Sequence, residues 1–140
     1  MNPNNYTSQS SVIIQQAMEI AQERGQQAIE TGHLLQAILQ DDTQTASFLL
    51  KKLGVNPSQI QTALAPILNT YPKVSGDQAY ASNALQQALQ RADKLKADFG
   101  DTFVSVEVLF LSLLDGNDSV ADALKKLGLQ RRILNKQSSN

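Results

Sequence analysis

Apolar residues recur at helical spacing along most of the chain. Ile13, Ile14, Ala17, Met18, Ile20 and Ala21 share one face of a helix predicted over 8–24, and Ala84, Leu85, Ala88, Leu89, Ala92 and Leu95 repeat the pattern over 83–99. Thr7 and Ser82 stand before these runs as N-caps, their hydroxyls placed to accept from unpaired amides of the first turn. Gly25 and Gly100 follow as left-handed stops. "TGHLLQAILQ" predicts a second helix near 32–40, and a third runs from Thr43 to Leu53, ahead of Gly54. Asn56 caps a fourth that starts at Pro57, where a missing amide proton costs nothing. Pro66 falls inside that fourth pattern and would clash with the carbonyl of Thr62, so a kink or an end is expected near Ala65.

The order then recurs. With an offset of 75, Thr7 meets Ser82, Ala17 meets Ala92, Gly25 meets Gly100, Ile29 meets Val104, and Leu34 meets Leu109. One deleted residue later, "LLKKLG" at 49–54 falls on "LKKLG" at 124–128. The chain therefore reads as a duplication, and its predicted fold is all-α: a pseudo-twofold pair of four-helix motifs, about eight helices in one globular bundle. Residues 1–140 are expected to form a single domain, with repeat one at about 7–69, a connecting loop at 70–81 and repeat two at about 82–136. The stretch "FVSVEVLFLSLL" alternates Val104, Val106 and Val108 with Ser105 and Glu107, as a half-buried strand would. Its repeat partner "IETGHLLQAIL" has no such alternation, so the duplication assigns a helix over about 106–114. A seventh helix is predicted near 118–127, and "QRRILNK" gives a short eighth.

Composition narrows the function. No cysteine is present, which excludes disulfides, thiolate metal sites and cysteine nucleophiles and favours a cytoplasmic protein. Twelve basic residues against thirteen acidic ones leave a net charge of -1, without the basic stripe that nucleic-acid binding needs. No apolar run approaches the roughly 20 residues that span a bilayer, so no membrane partner is expected. Neither GxxxxGK[ST] nor GxGxxG occurs, so this chain holds no ATP by those loops.

His33 is the lone histidine and begins an apolar helix, where it is expected to satisfy backbone groups rather than catalyse. Asp41 and Asp42 are expected in a solvated turn, with Asp42 or Thr43 capping the next helix, and the lysine pairs at 51–52 and 125–126 suit helix C-termini. No catalytic or metal-binding constellation is expected. One place departs from the repeat: Asp101, Glu107 and Val108 replace Gln26, Gly32 and His33. Acidic groups beside apolar ones at a helix start serve either as capping or as the rim of a binding groove.

"IETGHLLQAIL", "LLKKLGV", "YPKVSG" and "GDTFVSVEVLFLSLL" together resemble the double repeat at the N-terminus of Clp-type AAA+ chaperones, and most nearly the N-domain of the ClpB disaggregases. The likeness covers about residues 5–130. It implies a substrate-recognition domain that weakly binds unfolded or aggregated polypeptide and passes it to ATPase modules outside this chain. It implies a hexameric parent assembled through those modules, and a monomeric isolated domain. In the family pattern Thr7, Asp101 and Glu107 match positions associated with substrate handling, Leu89 and Val108 match an apolar groove, and Phe103 is added by adjacency. Two alternatives stay open: docking of an adaptor protein, as in the ClpA and ClpC relatives, and a stand-alone protein built on the same repeat.

Overall fold

The computed structural model describes residues 5–41, 45–74 and 78–129. Among them run seven helices: α1 (Ser8–Glu23), α2 (Thr31–Gln40), α3 (Thr45–Lys52), α4 (Pro57–Thr70), α5 (Asn83–Asp98), α6 (Val106–Leu114) and α7 (Ser119–Lys126). The eighth helix expected from "QRRILNK" lies outside the described residues, as do the expected caps at Asp42 and Thr43. Each half supplies the same start to its long helix. The Thr7 hydroxyl accepts from Ser10 N at 3.1 Å, and the Ser82 hydroxyl accepts from Leu85 N at 3.1 Å. Gly25 and Gly100 both take φ of 69°, a left-handed stop that a side chain would oppose. Replacing Thr7 or Ser82 by alanine should each cost about 1 kcal/mol in urea unfolding, since one helix-end amide then loses its partner.

The most apolar helices lie at the centre. In α2 every residue from Thr31 to Ile38 is buried, and in α6 only Glu107 is not. Such all-round burial requires cover on every side. It comes from α1 packed on α2, α5 on α6, and α2 against α6. α4 rests on α2 and α7, and α3 rests on α2 and α6.

The segment around Val104 divides between two roles. Val106–Leu114 is helical, capped by the Ser105 hydroxyl on Val108 N at 3.2 Å, as the duplication requires. Val104 itself makes a parallel bridge with Tyr6, closed by Thr7 N to Val104 O at 3.1 Å and Val104 N to Asn5 O at 2.7 Å. Its counterpart joins β1 (Ala28–Ile29) to β2 (Tyr80–Ala81) in parallel, with Ser82 N donating to Ile29 O at 3.0 Å. The residues just before α1 thus clasp repeat two, and those just before α5 clasp repeat one. β2 falls in the expected connecting loop at 70–81, which is partly structured.

α4 does not end near Ala65. It runs through Pro66 to Thr70 because Ile60, Leu64 and Leu68 continue the buried stripe on both sides, while Ala65 and Pro66 face solvent. Burial of that stripe outweighs the one hydrogen bond that Pro66 removes.

Candidate functional site

The Tyr6–Val104 clasp draws several candidate residues into one neighbourhood. Thr7 and Ser105, each one residue past the bridge, are the N-caps of α1 and α6. Two helix N-termini, each with a partial positive charge, therefore start side by side. Glu107 is half-buried in the first turn of α6, where that charge favours a carboxylate. Phe103, one residue before the bridge, is 47% exposed, and Asp101 is exposed at the end of α5.

An open groove of about 400 Å³ lies between the leading segment, Asn5 and Tyr6, and the face of α5 that carries Gln86, Leu89, Gln90 and Asp93, with Lys94 beside it. Leu89 forms part of its floor and is 7% exposed. Burial first and the Asp93 carboxylate second raise the pKa of the Tyr6 phenol, so it faces the groove as a neutral hydrogen-bonding group. The groove is more polar than the apolar one the family resemblance implies, since only Tyr6 and Leu89 among its lining carry large apolar surface.

Of the six candidate positions, Leu89 lines the groove, and Thr7 and Phe103 adjoin Tyr6 through the clasp. Val108 is 1% exposed and packs in the core, so it offers no surface in this conformation. Asp101 and Glu107 lie along the turn and helix start that follow α5. Asn5, Tyr6, Gln86, Gln90 and Asp93 were not singled out from the sequence. The polar stripe of α5 at 86, 90 and 93 on either side of Leu89 is the signal that points to the three on that helix, whereas Asn5 and Tyr6 are brought in by the non-local bridge to Val104.

The positions where the repeats diverge form a sealed relay in repeat one. His33 is fully buried. Its Nδ1 accepts from Glu30 N at 2.8 Å, which fixes the proton on Nε2, and Nε2 donates to Gln26 Oε1 at 2.6 Å. Gln26 Nε2 donates in turn to Leu68 O at 2.8 Å, and the Tyr71 hydroxyl accepts from Gly32 N at 3.2 Å. Beside these, Thr31 donates to Asp118 Oδ2 at 2.7 Å, which ties α2 to the cap of α7 in the other repeat. Burial first and the Arg24 guanidinium second hold the His33 pKa down to about 4. The ring is neutral near pH 7, and both of its nitrogens are engaged in structural bonds. Among the described residues no group of three histidine, cysteine or acidic side chains could hold a metal ion, and no helix is long and apolar enough to cross a membrane.

Two halves that clasp each other through the residues leading into their long helices, with a groove beside one clasp, define a duplicated helical N-domain of the Clp type. The chain belongs to that family: residues 5–127 match the Clp repeat (R) N-terminal domain. Over 96% of its length it is 36% identical to the chaperone protein ClpB of Bacteroides thetaiotaomicron and 37% identical to that of Porphyromonas gingivalis, and it spans 16% of each. Its fold is shared with the Hsp104 N-terminal domain of Candida albicans at a TM-score of 0.81, with 24% identity over 95% of this chain and 88% of that one. A ClpV N-domain solved in complex with a VipB peptide superposes at a TM-score of 0.77, with 20% identity over 96% of this chain and 85% of that one.

Proposed function

We propose that this domain is the substrate-recognition module of a ClpB-type disaggregase. It captures short stretches of unfolded or aggregated polypeptide in the Tyr6–Leu89 groove, in the cytoplasm, and releases them to ATPase modules of a hexameric parent. The observation that carries the reading is the open groove itself, floored by Leu89 and bordered by Tyr6, whose bridge partner Val104 directly follows exposed Phe103. So little apolar surface supports only weak capture. Micromolar to millimolar affinity, about 8 to 4 kcal/mol, is what remains after the cost of ordering the client. Weakness suits the task, because a client held tightly would not be passed on.

The test is a ¹⁵N titration of the domain with reduced, carboxymethylated α-lactalbumin. Amide shifts should cluster at Tyr6, Gln86, Leu89, Gln90 and Phe103. Phe103→Ala should weaken binding about threefold or more while leaving unfolding unchanged, because the ring is already exposed. Shifts scattered over the surface, or none, would overturn the reading. The likeness to a ClpV N-domain bound to a VipB peptide supports a second reading, docking of a defined adaptor segment in the same groove. In that case one folded partner binds at one-to-one stoichiometry, and the denatured chain causes no shifts.

A further inference from the structure

We propose that the face of α1 beside Tyr80 is a second client groove, related to the first by the internal twofold and selective for extended segments that carry apolar and basic side chains. The proposal rests on the client-capture reading above. Its basis is the pair of clasps, which are the same structure made twice. Tyr6 with Val104 and Ala81 with Ile29 are related by the offset of 75 at both ends, and the bonds Thr7 N to Val104 O and Ser82 N to Ile29 O measure 3.1 and 3.0 Å. Residues 80–81 therefore stand toward α1 as residues 5–6 stand toward α5.

Carrying the first groove across the offset shows what lines the second. Leu89 becomes Ile14, nearly as buried, at the floor. Gln90 stays glutamine, as Gln15, and Gln86 becomes Ser11. Tyr6 becomes Ala81, while Asn5 becomes Tyr80, which is 56% exposed. Val12, 53% exposed, lies one turn from Gln15 and two from Glu19 on α1, although its counterpart Gln87 does not line the first groove. Tyr80 thus stands at a lining position carried over from Asn5, and exposed Val12 follows the lining position Ser11 on α1.

The charges differ, and the difference selects the client. In the first groove Asp93 is paired with Lys96 at 2.8 Å and Lys94 stands beside it, so the rim is mixed. In the second, Met18 replaces Asp93 and Glu19 replaces Lys94, with exposed Glu23 one turn further on. That rim is anionic over an apolar floor, and it complements a segment of apolar and basic residues. From Ser11 to Met18 the helix rises about 10 Å, the length of roughly three extended residues. A client long enough to reach both faces would gain from the second contact without new affinity at either.

The experiment uses the full ¹⁵N-labelled chain with two twelve-residue probes, one repeating Leu-Ser-Lys and one repeating Leu-Ser-Glu. The lysine peptide should shift the amides of Ser11, Gln15, Glu19 and Tyr80, and at low salt it should bind there at least threefold more tightly than the glutamate peptide. The double variant Val12→Ser, Tyr80→Ser changes two exposed side chains and should remove those shifts while leaving those at Gln86 and Gln90 in place. Shifts confined to the α5 groove in the unsubstituted chain would overturn this proposal and leave the first groove standing. Shifts confined to α1 would support it and overturn the first groove. No shifts at either face would overturn both.

Discussion

Acidification from pH 7 to pH 4 should cost the domain roughly 3 kcal/mol through His33 alone. The sign follows from which state takes the proton first. In the unfolded chain His33 titrates near its ordinary 6.5, while in the folded domain burial, and then Arg24, hold it at about 4. The unfolded chain therefore binds the extra proton throughout that window. Stability from this residue is complete above about 6.5, falls as pH drops, and levels off below about 4. Protonating Nδ1 would also replace the acceptor of Glu30 N with a second donor, so the 2.8 Å bond would be lost. Urea unfolding between pH 7 and pH 4 of the natural chain and of His33→Gln measures the effect. The variant should be less stable at pH 7, and the difference between the two should shrink toward pH 4. A difference that does not change with pH would show that the ring is not held neutral. A small domain is stable by only about 5–15 kcal/mol, so a loss of this size is a large share.

Gly32→Ala should destabilise the domain by about 2–3 kcal/mol, although only one methyl is added. The new Cβ would lie 2.7 Å from the Tyr71 hydroxyl oxygen, 3.0 Å from the ring carbon Cε2 and 3.1 Å from Leu68 Cδ2. Tyr71 has little room to yield. Its hydroxyl accepts from Gly32 N, and its ring centroid sits 5.2 Å from that of buried His33. Removing the hydroxyl relieves the nearest contact, so Gly32→Ala should cost clearly less in a Tyr71→Phe background. A double-mutant cycle by thermal or urea unfolding reads that coupling. Additive losses would place the strain elsewhere.

Local signals made much of the fold legible. Caps and stops at Thr7, Gly25, Ser82 and Gly100 put α1 and α5 within a residue of their observed ends, and the duplication turned the valine alternation at 104–108 into a helix from Val106. What escaped was non-local. Nothing near Ile29 or Val104 in sequence names a partner far along the chain, so even the strand-like alternation that includes Val104 does not reveal the bridge to Tyr6. Locally Pro66 signals a clash and an end, whereas the buried stripe Ile60–Leu64–Leu68 carries the helix through it. The site divides the same way. Periodicity puts Leu89 on the apolar face of α5 and the family pattern marks it for the groove, but only packing reveals that Val108 is covered and that Tyr6 closes the other wall. His33 at a helix start points to a structural role, and its ring bonds to Glu30 N and Gln26 Oε1 fit that, while its partners Gln26 and Tyr71 depend on two chain segments meeting.

The two clasps enclose loops of very different size. Ile29 meets Ala81 within the first 81 residues, whereas Tyr6 must wait for Val104. The second loop is about twice as long, and closing it costs about 0.6 kcal/mol more in chain entropy. During synthesis the α1 face is thus completed while repeat two is still emerging. The wall that Tyr6 gives to the α5 face goes up last, once the hydrophobic layers beneath it exist.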